Sequence, residues 1–184
     1  MLPDYHGKGR GEVKRQVELA ATRPYLRTQF EIIVTPQFQR QVSSIDDLEG
    51  IAPMVEIQSL PAIILWQHKD GLLMSNITHI APTKGLLNQL ETGGAVATLM
   101  EVHRFDHYRF RNPTTKLRWS GYTHPIGYNF GFAGLAGASD LIASVNEVLT
   151  RFADSATLAD IAKRNALTYF APAKPYVAGK LTIE

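Results

Sequence analysis

Cysteine is absent from this 184-residue sequence. That excludes disulfide frameworks, thiolate metal sites and cysteine nucleophiles. A large charge of one sign is absent as well: 19 Lys and Arg stand against 17 Asp and Glu, a formal net charge of +2. So even a balance gives no bulk signal for nucleic acid or an anionic membrane. No apolar run approaches the ~18 residues of a membrane-spanning helix. The opening stretch, Met-Leu-Pro-Asp-Tyr-His-Gly-Lys-Gly-Arg, lacks the apolar segment of a signal peptide, so synthesis and folding in the cytoplasm are expected. Gly-x-Ser-x-Gly, His-Glu-x-x-His, Gly-x-Gly-x-x-Gly and the phosphate-binding loop pattern are all missing. The expectation is therefore a chain that is not an enzyme, with no catalytic, cofactor-binding or metal-ligating residues and no cofactor.

What is present is a core-forming composition, 45% apolar, enough for one domain of ordinary size. Residues 1–27 carry six Lys or Arg against three Asp or Glu and read as a basic N-terminal arm, with Glu12–Ala21 as a short helix. Residues 28–125 read as a β-rich domain. Thr28–Thr35 alternates apolar and polar side chains and is ended by Pro36, and Met54–Leu60 alternates again. Ile63–His68 and Leu72–Ile80 flank Lys69-Asp70-Gly71, which predicts a β-hairpin because Asp-Gly tolerates the positive φ of the tight turn. Ala95–Phe110 reads as one strand, and sixteen residues at strand rise would span roughly 50 Å. A short strand follows at Leu117–Thr123.

Residues 126–184 read as a Gly-rich loop, an amphipathic helix and a small αβ module. Leu141, Ile142, Val145, Val148, Leu149 and Phe152 recur at helical spacing after Ser139, with Asp140 in the first turn and Arg151 in the last. Thr157–Arg164 predicts a second helix and the end of the chain a final strand. The fold class expected is α+β: a mainly antiparallel sheet or split barrel with a helical C-terminal part.

Two candidate sites stand out. His103 and His107 are four residues apart, with Glu101 and Asp106 beside them. On a strand the pair is separated by about 13 Å, too far for one metal ion. A metal-dependent hydrolase using these histidines is kept only as an alternative. The run His103–Arg111 interleaves cations and rings, and Lys116, Arg118 and Trp119 follow closely. Arg and aromatic side chains are the usual anchors of protein interfaces. The interface residues expected are Arg104, Phe105, His107, Tyr108, Arg109, Phe110 and Trp119. The same mix stacks bases, so a nucleic-acid-binding protein using the 103–119 face is the other alternative.

Taken in order, the Pro61 strand with Trp66, the Gly71 turn, Leu-Leu-Met-Ser-Asn-Ile-Thr and Gly-Gly-Ala-Val-Ala-Thr-Leu-Met-Glu-Val-His-Arg-Phe-Asp-His-Tyr resemble the small baseplate proteins of phage tails and contractile injection systems. Ser155–Asn165 is similar to the first helix of a LysM module, and Val177–Ile183 to its closing strand. The resemblance implies a split barrel with a LysM-like module. It also implies a non-enzymatic structural role in the virion tail, with tail tube, hub or baseplate subunits as partners.

Overall fold

The computed structural model describes residues 17–174 and 179–183. Of the expected helix Glu12–Ala21, residues 12–16 lie outside these residues and Val17–Ala21 is a β-strand; the basic arm before Val17 also lies outside them. Among the described residues the fold is mixed α/β, with two antiparallel three-stranded sheets, one parallel strand pair and five α-helices.

The middle of the larger sheet is β2 (Leu26–Val34). Phe30, Ile32, Ile33 and Val34 on it are all fully buried, so this strand is covered on both faces. Because successive strand side chains alternate, Phe30, Ile32 and Val34 enter one apolar cluster while Ile33 enters another on the opposite side. On the first side lie Ile45, Leu48, Val55, Leu65 and Leu73. On the second lie Leu86, Leu87, Leu90, Phe105 and Leu117. Either side of β2 are β5 (Ala97–Glu101) and β6 (Arg118–Phe130), both antiparallel to it. Next to β5 is a parallel pair, β3 (Met54–Glu56) and β4 (Thr78–Ile80). The antiparallel pairing matches expectation, but the described strands lie in three separate sheets rather than a split barrel.

The expected hairpin over Ile63–Ile80 is a helix and two short helical turns, and only its last residues, Thr78–Ile80, are strand. Helix α1 (Leu60–Gln67) starts at Ser59, whose side chain accepts the Ala62 N–H at 3.2 Å, with Pro61 in the first turn. Those are start signals, and they prevail over the β-prone Ile63, Ile64 and Trp66 because Pro61, Ala62, Ile64 and Leu65 bury at helical spacing. Lys69, Asp70 and Gly71 do take positive φ, at 45°, 55° and 96°. They reverse the chain after a helix, not between strands. Asp46 holds this turn, accepting from Lys69 Nζ and contacting His68 Nε2, both at 2.6 Å. The two contacts keep its carboxyl below the usual carboxylate range, Lys69 contributing most.

The expected sixteen-residue strand also divides. Its first part is β5, and at Val102 the chain turns into helix α3 (Val102–Arg111). Val102 and Phe105, three apart, are the buried anchors of that helix. Ahead of β5 is α2 (Leu86–Glu91), whose three leucines are all buried.

In the smaller sheet β1 (Val17–Ala21) lies between β7 (Ala133–Leu135) and β8 (Gly179–Ile183). Leu19 pairs with Leu135 on one side and with Leu181 on the other. Helix α4 (Ser139–Asp154) lies on the opposite face, where a Cβ on Gly134 would come 3.6 Å from Ile142. The amphipathic pattern had predicted this helix. After it comes α5 (Thr157–Arg164), at the predicted residues. Two adjacent chain crossings join the sheets. Thr22 N–H donates to Phe132 O and Tyr25 N–H to Phe130 O, each at 2.9 Å, and the Tyr25 and Phe132 rings stack at 4.8 Å. No described helix is long and apolar enough to cross a membrane.

Candidate functional site

The C-terminal ends of β3 and β5 open on the same edge. Each ends in a glutamate, Glu56 and Glu101. In open α/β sheets this is the edge where loops and helix N-termini collect and ligands bind. Here α1 and α3 both begin beside it, and Gln58, between β3 and α1, takes a φ of 60° that non-glycine residues rarely adopt.

Glu56 is only 8% exposed. Arg104, in the first turn of α3, forks onto it: Nη1 donates to Oε2 at 2.8 Å and Nη2 to Oε1 at 2.6 Å. Glu101 Oε2 is 3.6 Å from the same guanidinium, inside ion-pair range but beyond a hydrogen bond. The Glu56 carboxylate makes Arg104 hold its proton more tightly still. Two carboxylates and one guanidinium leave the edge formally negative.

Two buried polar atoms here have no hydrogen-bond partner, Glu101 Oε2 and His103 Nδ1. His103 Nε2 lies 3.0 Å from Thr168 O. A carbonyl can only accept, so Nε2 carries a proton, and in the neutral tautomer this leaves Nδ1 as the acceptor. Aromatic rings wall this side. His103 meets Phe130 at 5.9 Å and Phe170 at 6.4 Å, and Tyr128 meets Phe130 at 5.1 Å. Burial pushes the Tyr128 hydroxyl above its ordinary pKa, Glu101 adds to the rise and Arg104 offsets part of it. An open depression of about 430 Å³ adjoins the Glu56–Arg104 pair, lined also by Pro82, Asn88, His107 and Tyr108.

The seven expected interface residues separate into three groups. Arg104, His107 and Tyr108 line this depression. Phe105 faces the second core cluster. Arg109, Phe110 and Trp119 line another depression, of about 590 Å³. His103 and His107 are one helical turn apart, not spread along a strand, yet no group of three metal-binding side chains occurs among the described residues. Sequence reasoning missed Glu56, Tyr128 and Phe130 here, and it noted Glu101 only as a neighbour of His103 and His107. A strand ending in Glu just ahead of a Ser-x-Pro helix start was the available signal for Glu56.

One more acidic group lies close by. Glu31, on the β2 face towards α3, is pushed up to about 7, chiefly by burial and then by Asp106, with Arg109 partly offsetting. The folded state therefore binds a proton that the unfolded state, with a pKa of 4.5, has released, and stability falls as pH rises between those values. Glu31→Gln is expected to raise stability by about 1–2 kcal/mol near pH 8, after discounting for solvent screening, and by much less near pH 5. Urea midpoints at the two pH values measure this; an equal change at both would refute the assignment.

The arrangement is an α/β fold with a cluster of polar side chains at the strand ends. No protein-family model matches the chain, and no curated protein matches it. Solved structures do. The second substrate-binding domain of a putative amino acid ABC transporter from Streptococcus pneumoniae superposes with TM-score 0.64 at 19% identity, over 84% of this chain and 66% of that one. An ArgBP mutant from T. maritima gives 0.59 at 20% identity, over 80% and 61%. The L-cystine solute receptor of Neisseria gonorrhoeae, in its unliganded open conformation, gives 0.61 at 15%, over 80% and 60%. The chain thus spans less than two-thirds of each of these structures.

These neighbours are binding proteins and receptors, not enzymes, which agrees with the expected lack of enzymatic activity. They overturn the phage-baseplate reading, with its virion localisation and its tail tube, hub and baseplate partners. They equally overturn the nucleic-acid-binding and metal-dependent hydrolase alternatives. The physical reasons lie in the elements. The hairpin that carried the baseplate resemblance is helical. The strand assigned to a LysM module, β8, pairs with β1 far from α5 in sequence.

Proposed function

We propose that this chain is a solute-binding domain of the transporter-associated kind, and that it takes a small amine-bearing solute, such as a free amino acid, at the ends of β3 and β5. One observation carries the reading: Glu101 Oε2 and His103 Nδ1 are buried without a hydrogen-bond partner, Glu101 having only the Arg104 guanidinium at 3.6 Å. Buried acceptors of this kind are costly unless met, and both require a ligand that brings N–H groups. Glu101 favours a cationic amine, and the Tyr128–Phe130 rings offer it π-faces. The fold likeness to amino acid, arginine and cystine binding structures supports the same class.

A ligand that binds only the folded state raises the melting temperature in proportion to its saturation. Thermal-shift screening of the purified chain against free amino acids and simple amines is expected to find at least one binder with a dissociation constant of about 1 mM or tighter. Glu101→Gln should weaken that binder about tenfold, or about 1.4 kcal/mol, without lowering the melting temperature of the unliganded protein. Absence of any stabilising amine, or an unaltered affinity in the Gln variant, would reject the proposal.

A further inference from the structure

The second depression is separate from the strand-end site, and its chemistry differs. Arg109 and Arg118 line it, with Phe110 and Trp119 beside them. Phe110 is 67% exposed and Trp119 47%. Arg111 closes α3 and Lys116 lies on the loop to β6, both at the surface. In this protein the other prominent cations are engaged: Arg104 by Glu56 and Lys69 by Asp46. Among the described residues none of Arg109, Arg111, Lys116 and Arg118 has a carboxylate within ion-pair distance. Arg109 lies near enough to Glu31 to offset part of its rise, while Arg111, Lys116 and Arg118 add three further exposed cations within the same ten residues, a local positive patch on a chain of net charge +2.

The patch is held in place. Arg118 Nη2 donates to Phe38 O at 2.8 Å, and Trp119 Nε1 donates to Tyr122 O at 2.9 Å. The Arg109 guanidinium lies 5.7 Å above the Phe105 ring. The floor has the opposite polarity. Asp106 lines it and accepts the Thr168 N–H at 2.7 Å, and it lies close enough to Glu31 to raise that carboxyl further.

We propose that Arg109, Arg111, Lys116 and Arg118, with Phe110 and Trp119 between them, form a docking surface for an acidic, extended segment of a partner protein. Rim cations take carboxylates, the two exposed rings take an apolar side chain, and the floor carboxylate takes a backbone N–H. That last feature selects a peptide over a nucleic acid, since a phosphodiester backbone has no donor to offer Asp106 and is repelled by it. Rim charges of this kind set the rate and salt dependence of encounter, and buried rings anchor it.

The chain has two tryptophans, so Trp66→Phe leaves Trp119 as the reporter. The probe is a blocked peptide of six glutamates around one phenylalanine, titrated into the full chain while Trp119 emission is followed. A saturable blue shift is expected, weakening at least about tenfold between about 20 mM and about 500 mM salt. Arg118→Glu should abolish it. Arg111→Glu with Lys116→Glu, which leaves Arg109 over Phe105 and the Arg118 anchor to Phe38 intact, should do the same at unchanged melting temperature. Three results would overturn the proposal: no emission change, an equal response in the charge-reversed variants, or an oligothymidylate of equal charge binding as tightly as the peptide. Loss of response with the solute-binding assay unaffected would separate this surface from the strand-end site.

Discussion

Arg104→Ala is expected to lower folding stability by about 2–4 kcal/mol. The reason is its partner. Glu56 is nearly enclosed, and both its carboxylate oxygens accept from the one guanidinium. Removing one member of a buried ion pair leaves the other charge desolvated and unmatched, typically a loss of about 3–5 kcal/mol. The Arg104 side chain is 44% exposed, so water reaches the gap and the lower part of that range applies. The converse change should be milder. Glu56→Gln leaves Arg104 free to turn outwards into solvent, and about 1 kcal/mol is the expected loss. Replacing both, as Glu56→Gln with Arg104→Met, should restore part of the stability, because the Glu56 charge is then gone while Glu101 loses its ion-pair partner. Urea unfolding of the three variants measures the asymmetry. Equal losses for the two single variants would show that the pair behaves as an ordinary surface salt bridge.

That pair also shows where sequence reasoning stops. Strand β2 was legible because Phe30, Ile32 and Val34 alternate with polar neighbours and a proline follows. Helix α4 was legible because its apolar positions repeat over sixteen residues with matching end charges. The stretch 60–80 was not. Ile63, Ile64 and Trp66 favour strands, and Lys69-Asp70-Gly71 has the composition of a hairpin turn. Only Ser59 and Pro61 pointed the other way, and burial of α1 against the first apolar cluster decided the outcome. Local preference was overridden by tertiary packing. Helix α3 was hidden for a different reason: ten residues with just two buried anchors carry too little periodicity to be told from a strand. The site was less legible than the fold. Glu56 and Arg104 are 48 positions apart in sequence, and they meet because β3 lies beside β5, a neighbour relation no local pattern records. The cation–aromatic run was visible from the start, but reading it as one strand merged three environments: the polar strand-end edge, a core anchor and a surface patch.

Phe105→Ala is the sharpest test of that separation, and the expected loss is about 3–5 kcal/mol. Phe105 is 2% exposed and packs with Ile33, Met100, Leu87, Leu90 and Leu117. Truncating it opens a cavity that α2, the sheet and α3 together would have to collapse to fill, and interiors at crystal-like density relax only partly. Phe110, five residues on along the same helix, is 67% exposed, so Phe110→Ala should change stability by no more than about 0.5 kcal/mol. The pair of variants controls for residue type and helix. The loss at Phe105 should also reach the ligand edge, since α3 positions His103 and Arg104 from its first turn and Phe105 fixes that turn to the core. Amine binding should therefore weaken in Phe105→Ala even where the protein remains folded, and recover in Phe105→Leu, which retains most of the volume. If Phe110→Ala proved as costly as Phe105→Ala, the orientation assigned to α3 would be incorrect, and with it the placement of Arg104 against Glu56.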